Sequence, residues 1–276
     1  MDIYKLLQMG RETLANNGVD PREARFLLAF AMEIRSEELI KYKECSNEQY
    51  NKYIEYINRR ASKEPYAYIT DHKEFMKLDF KVNKNVLIPR EDTEVLVQEI
   101  IDLASKEYSS DKKVKILDMC TGSGCIAISL AKYIENAEIT AVDISNEALQ
   151  VAKENAIINN INVTFINSNL FDKIEERFDI IVSNPPYIKK DVIDTLQEEV
   201  KNEPILALDG GESGLDFYEE ITKKALEYLN TNGILAFEIG YDQGNEVAKI
   251  LEENDFKDIE IKKDISGNDR IVMGKI

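Results

Sequence analysis

The chain has 276 residues, 43% of them hydrophobic, and a formal net charge of −17, a length that holds one large α/β domain and a smaller one with ample core. Cys45, Cys120 and Cys125 are its three cysteines and His72 its one histidine, which argues against a disulfide framework or a structural zinc site and points to a reducing cytoplasm. Residues 1–75 carry 12 Lys and Arg against 13 Asp and Glu, so nearly all of the negative charge lies beyond them, where it would repel a phosphate backbone and argues against nucleic-acid binding.

The first residues, Met1-Asp2-Ile3-Tyr4-Lys5, lead into an amphipathic pattern rather than a signal peptide, and no apolar run reaches the roughly 18 residues of a membrane span. A soluble protein is expected. Residues 1–73 read as a small N-terminal helical domain. Ser46-Asn47-Glu48-Gln49 spells a capping box, and Asp20-Pro21-Arg22-Glu23 an N-cap followed by a first-turn proline. Leu27, Leu28 and Ala31, then Tyr50, Tyr53, Ile54 and Ile57, recur at helical spacing. Because this domain is nearly neutral beside an acidic remainder, it is expected to share in substrate recognition.

From 74 to 90 the period falls to two. Phe75, Leu78, Phe80 and Val82 alternate with polar neighbours, and Val86-Leu87-Ile88 runs into Pro89, which predicts a β-hairpin linker. Residues 91–276 form the predicted catalytic domain. Arg90-Glu91-Asp92-Thr93-Glu94 opens its first helix, with acidic residues suited to the positive end of the helix dipole. Strands are predicted at 114–119, 138–143, 163–166, 178–183 and 233–239, with helices between the first several, the alternation of a doubly wound, mostly parallel sheet. Two more, at 256–262 and 270–275, flank a Ser266-Gly267-Asn268-Asp269 turn and predict a terminal antiparallel hairpin, for seven strands in all.

Two segments of this domain carry chemistry. Leu117-Asp118-Met119-Cys120-Thr121-Gly122-Ser123-Gly124 follows the first of these strands and enters a helix, so its glycines let backbone approach a ligand beyond the carboxyl ends of the strands. Asp143 ends the next strand, 19 residues past Gly124, where a carboxylate can accept from ribose hydroxyls. Alone, Gly122-x-Gly124-x-x-Ala127 fits a nicotinamide dinucleotide site equally well. The second segment is Asn184-Pro185-Pro186-Tyr187 at the end of a buried strand. Two successive prolines supply no backbone N–H, so the turn offers carbonyl oxygens, the Asn184 amide and the Tyr187 ring to a planar amide or exocyclic amine. A dehydrogenase gives no reason for that turn, whereas a nucleoside sulfonium donor suits both segments and the acidic surroundings.

In the order Asp118, the glycines, Asp143, Asn169-Leu170 and Asn184-Pro185-Pro186-Tyr187, the chain resembles Rossmann-like methyltransferases that modify planar nitrogen. Ile88-Pro89-Arg90-Glu91-Asp92-Thr93-Glu94, Glu203-Pro204, Ala207-Leu208, Gly210-Gly211 and Asn268-Asp269-Arg270 narrow the resemblance to release-factor glutamine methyltransferases of the HemK type, over nearly the whole chain. Cys120 stands where glycine is usual, Glu91 where proline is, and Asn169-Leu170 where an acidic-aromatic pair is common. The resemblance implies a Rossmann-like sheet and N5-methylation of the glutamine in the Gly-Gly-Gln motif of peptide-chain release factors. The donor it implies is S-adenosylmethionine, which leaves as S-adenosylhomocysteine. It also implies that Asp118, Cys120, Thr121, Gly122, Ser123, Gly124, Asp143, Asn169, Leu170 and Asn184 bind the cofactor. Asn184, Pro185, Pro186 and Tyr187 would hold the glutamine, Tyr187 either packing against the amide plane or shielding the sheet edge. Methylation of a ribosomal-protein glutamine, methylation of an adenine amine, and non-catalytic nucleotide binding stay open as alternatives.

Overall fold

The computed structural model describes residues 1–109 and 112–276. It divides into two compact units, Met1–Asp71 with Gln197–Asn202, and His72–Leu196 with Glu203–Ile276.

The first unit holds helices α1 (Ile3–Asn16), α2 (Glu23–Ala31), α3 (Asn47–Ala61) and α4 (Tyr66–Thr70). The capping box forms as predicted: Ser46 Oγ accepts from Gln49 N at 3.2 Å, and Gln49 Oε1 accepts from Ser46 N at 2.9 Å. The Asp20 signal resolves differently. Its carboxylate turns to the Arg22 N–H and guanidinium, both within 2.9 Å, so α2 starts at Glu23 with no side-chain cap. Leu27, Leu28 and Tyr53 are fully buried, as their helical spacing predicts, and Leu14 is buried with them. Arg60 is also buried, its guanidinium shared between Glu23 (2.5 Å) and Glu199 (2.7 Å), which supplies the pairing that a buried charge requires.

The second unit opens with a hairpin, β1 (Lys73–Phe75) and β2 (Leu78–Phe80). Met76 and Lys77 both have positive φ, 50° and 58°, as a two-residue type I′ turn demands. The pairing ends at Phe80 rather than continuing to Val82 and Ile88, which are buried without strand structure. Phe75 and Phe80 meet edge-on, 6.0 Å between centroids, and belong to the core of this unit. The hairpin is thus part of the unit's packing, and its two rings account for the alternation in the sequence.

Helix α5 (Glu91–Glu107) leads into β3 (Val114–Met119), α6 (Cys125–Tyr133), β4 (Ala137–Asp143), α7 (Asn146–Ile158), β5 (Thr164–Asn167), β6 (Phe178–Ser183), β7 (Leu229–Glu238), β8 (Lys257–Lys263) and β9 (Asp269–Lys275). The sheet order is β5-β4-β3-β6-β7-β9-β8, parallel except where β9 runs antiparallel to β7 and β8. Side chains alternate between two cores: Ile180 and Val182 of β6 face one with α5 and α6, while Phe178 and Ile181 face the other with helices Asp216–Tyr228 and Gly244–Glu253. Burial on both faces is why these strands read as continuous apolar runs. After β3 the chain winds outward through β4 and β5, then returns to the other side as β6. That reversal opens a crevice at the carboxyl ends of β3 and β6.

The turn after β6 is held from below by the segment Leu208–Gly210. Ile188 N donates to Leu208 O at 3.0 Å and Gly210 N to Ile188 O at 2.9 Å. A Cβ on Gly210 would meet Tyr187 Cα at 2.7 Å and Pro186 O at 2.9 Å, backbone atoms that cannot swing aside. Gly210→Ala is therefore expected to lower stability by about 1–3 kcal/mol, a melting-temperature drop of several degrees. An unchanged melting temperature would show that the turn is not pinned there.

Candidate active site

A cavity of about 460 Å³ lies at the switch point, bordered by the loops after β3, β4 and β6. Cys120, Thr121, Gly122, Ser123, Asp143, Asn169, Leu170, Asn184 and Pro186 line it, which brings most of the residues singled out in the sequence around one space. Asp118, Gly124, Pro185 and Tyr187 are not among the lining residues.

The loop after β3 is bent by three successive left-handed positions, Cys120 (φ 61°), Gly122 (φ 54°) and Gly124 (φ 80°). Glycine adopts them freely; Cys120 does so against the preference of a side chain. Gly124 also admits α7, since a Cβ there would touch Ala152 Cβ at 3.0 Å. Asp118 supports the bend from inside: fully buried, it accepts from Thr121 Oγ1 at 2.5 Å and Ala127 N at 3.1 Å. Burial pushes its carboxyl up to about 7, against the pull of those two hydrogen bonds. Its role is to brace the loop, not to form the wall.

Asp143, at the end of β4, accepts from Gly122 N at 2.8 Å through Oδ2 and from Ser145 N at 2.9 Å through Oδ1. Each oxygen keeps acceptor capacity on its cavity side. Burial raises its pKa, and the backbone bonds from Ser145 and Gly122 oppose the rise. Ile144, Ala148 and Leu170 give this end an apolar lining. Among the described residues the Asn169 side chain has no hydrogen-bond partner. A carboxylate placed for vicinal hydroxyls, a glycine-lined backbone edge and an apolar slot with one free amide fit a nucleoside with an extended tail.

On the other side of the cavity Asn184 follows β6, its Nδ2 donating to Thr93 Oγ1 at 3.4 Å. Tyr187 packs into the core beneath and its carbonyl accepts from Gln243 Nε2 at 3.1 Å. Burial pushes its phenol up to about 12, so it stays neutral there. Pro89 and Arg90 complete the rim, pinned by the buried carboxylate of Glu203, which accepts from Ile88 N at 3.0 Å and from the Arg90 guanidinium.

Sequence reading missed Thr93, Glu238 and Gln243 as parts of the site. Thr93 stood inside a quoted motif, but its acidic neighbours drew a helix-dipole explanation. Glu238 left a legible signal, a carboxylate ending the apolar run Ile234-Leu235-Ala236-Phe237. It is buried, its Oε2 without a partner among the described residues. No group of three or more potential metal ligands occurs among the described residues.

Residues 91–203 match the family model described as a methyltransferase small domain, and residues 5–70 that of the PrmC N-terminal domain. A release factor glutamine methyltransferase of Clostridium acetobutylicum is 45% identical over 259 residues, covering 91% of this chain and 90% of the relative. Another, from Thermodesulfovibrio yellowstonii, is 38% identical over 273 residues, covering 98% and 97%. The crystal structure of a methyltransferase from Pyrococcus furiosus shares the fold at TM-score 0.55 and 19% identity, over 74% of this chain and 91% of that one.

The buried Glu238 gives the protein a pH signature. Burial raises its carboxyl to about 7, opposed by the Thr93 hydrogen bond and Arg270. A carboxyl with a raised folded pKa stabilises the fold least when ionised, so its contribution is best below its unfolded value near 4.5 and declines as pH rises through about 7. Glu238→Gln removes that decline. Going from pH 5 to pH 8, the stability of the variant relative to wild type is expected to improve by roughly 3 kcal/mol, read by chemical denaturation at each pH. A difference that does not change with pH would show that Glu238 titrates normally.

Proposed function

We propose that this chain, which belongs to the release factor glutamine methyltransferase family, methylates the side-chain amide nitrogen (N5) of the glutamine in the Gly-Gly-Gln motif of peptide-chain release factors. The donor in this reading is S-adenosylmethionine, and S-adenosylhomocysteine is left. One observation carries it: the glycine loop after β3 and the amide-accepting turn after β6 open side by side onto one cavity.

Asp143 would hold the ribose hydroxyls, Asn169 and Leu170 the adenine end, and the loop from Cys120 to Gly124 the tail. Bound there, the sulfonium supplies an electrophilic methyl group. An amide nitrogen is a weak nucleophile because its lone pair is delocalised, the resonance behind a rotation barrier of about 18–20 kcal/mol. Asn184 Oδ1 and the Pro185 carbonyl accept its two hydrogens and so turn the nitrogen toward the methyl group. Each such bond is worth about 0.5–1.5 kcal/mol net, whereas aligning two reactants can contribute about 7–11 kcal/mol. Positioning therefore dominates, and the proton can leave to water after transfer without a dedicated base. Pro186 walls the cavity and Tyr187 holds the turn from beneath.

Asp143→Ala is expected to weaken S-adenosylmethionine binding by the loss of charge-assisted bonds worth about 1.5–3 kcal/mol each, measured calorimetrically. Asn184→Ala is expected to weaken donor binding less than Asp143→Ala does and to lower kcat/KM for release factor roughly 5- to 150-fold, scored by mass of the modified peptide. A wild-type rate in the Asn184 variant would make the turn a structural element only.

The helical unit would share in recognising the folded release factor, since one glutamine in a loop offers little surface for specificity. Phe26 and Ile40, exposed on that unit, supply apolar contact area. The acidic surface favours a protein partner over nucleic acid, and the cytoplasm is where that partner works; no helix among the described residues is long and apolar enough to cross a membrane. Replacing Phe26 and Ile40 by Ser is expected to slow methylation of intact release factor several-fold while leaving a short Gly-Gly-Gln peptide unaffected. Equal losses on both substrates would confine the helical unit to a supporting role.

A further inference from the structure

We infer that Lys84 binds the carboxylate at the tail of the donor, and so makes the site prefer ligands that carry this acid group over analogues that lack it. The inference deepens the functional reading above and rests on its assignment of the cavity to S-adenosylmethionine and of the loop from Cys120 to Gly124 to the donor tail.

The donor in that reading carries charge along its length. Its sulfonium and tail ammonium are cations, suited to a chain of net charge −17. The tail also ends in a carboxylate, which the same field repels. That group needs a cation. Among the described residues two cationic side chains line the cavity, Lys84 and Arg90. Arg90 is engaged: its guanidinium donates to Glu203, whose side chain is 2% exposed, and drawing it away would leave that buried carboxylate without its charge partner. Lys84 has no hydrogen bond or ion pair among the described residues. Its ammonium is free to meet a ligand.

Lys84 lies between β2 and α5, in a segment whose backbone is irregular yet tied at both ends. At the start stands Asn155 of α7, fully buried. Its Oδ1 accepts from Lys81 N at 2.6 Å, and its Nδ2 donates to Lys81 O at 3.0 Å and to Ser123 O at 2.9 Å. A single nitrogen thus joins this segment to the glycine loop, the loop that takes the tail. At the other end Ile88 N donates to Glu203 at 3.0 Å. Between the two ties, Val86 N donates to Asn83 O at 3.1 Å and Asn85 N to Asn83 Oδ1 at 2.9 Å, which closes a β-turn with Lys84 and Asn85 as its central residues. Both line the cavity. The turn is braced, while the exposed lysine it carries has a flexible four-carbon stem with which to follow a tail.

Asp143 and Glu147, the two carboxylates in the lining, come from β4 and α7. The wall therefore presents both signs of charge, each from its own part of the chain, which suits a ligand that has cationic and anionic groups at separate points. Because Lys84 is exposed, solvent screens its pairing, and its effect falls below that of a buried ion pair.

The test measures, by calorimetric titration of the full-length protein, the affinities of S-adenosylhomocysteine and of its decarboxylated analogue, which keeps the nucleoside and the amine. Wild type should prefer the parent compound. Lys84→Met, similar in length and uncharged, should weaken S-adenosylhomocysteine about five- to tenfold and leave the analogue within about twofold, so that the preference between them falls accordingly. Lys84→Arg keeps the charge and should keep most of the preference, whereas Lys84→Glu should lower it further than methionine does. KM for a Gly-Gly-Gln peptide at saturating donor should stay at the wild-type value. Equal losses on both ligands, or none on either, would overturn the inference, as would an arginine variant no more selective than the methionine one. So would a Lys84→Met variant with unchanged donor affinity and a raised KM for intact release factor, since the lysine would then read a carboxylate on the protein partner. A wild type that binds neither ligand would overturn the functional reading itself and this inference with it.

Discussion

Parallel pairing of β3 with β6 is the constraint on which the site depends. Met119 stands opposite Ser183 at the carboxyl ends of the two strands, and the Ser183 hydroxyl donates to Met119 O at 2.7 Å. Neighbouring strands lie roughly 4.8 Å apart, so the residues that follow, Cys120 on one strand and Asn184 on the other, begin their loops as neighbours. On the proposed reading, a ligand held by the first loop and an amide held by the second would thereby be neighbours by sheet geometry. Everything else steadies those two loops: Asp118 braces the first, and Gln243 with the Leu208–Gly210 segment holds the second.

That bracing relies on carboxylates withdrawn from water, wholly at Asp118 and Glu238 and partly at Asp143. Asp118, Asp143 and Glu238 all have raised pKa values, each first of all because of burial. A hydrophobic replacement of similar size would spare the desolvation penalty, yet could not orient a hydroxyl or a backbone N–H. The stability forgone at these positions is exchanged for direction. Asp118 fixes the loop path, and Asp143 fixes Gly122 and Ser145.

Much of this was legible in the chain because it is local. The strands at 114–119 and 178–183 have the bounds expected, and the Ser46 capping box closes within three residues. The glycine loop and the Asn184 turn each lie in one short segment, so their bends could be read from glycine and proline alone. Long-range pairings were not legible. Thr93 and Asn184 are 91 residues apart, Arg90 and Glu203 113, and nothing in residue type or spacing says that they meet. Asp118 and Tyr187 belong to recognisable motifs but do not line the cavity: Asp118 is fully buried on β3, and Tyr187 lies in the turn after β6 packed against the core. The hairpin was read too long for a related reason: Val82, Val86 and Ile88 are buried like strand residues while their backbone is irregular.

The most direct test of the account is a structure of the protein with S-adenosylhomocysteine and a Gly-Gly-Gln peptide. The expected result places the glutamine amide nitrogen on the line beyond the sulfur, with Asn184 Oδ1 and the Pro185 carbonyl accepting its hydrogens and Asp143 accepting from the ribose hydroxyls. A glutamine whose oxygen faces Asn184, or whose amide lies outside the cavity between the two loops, would contradict it.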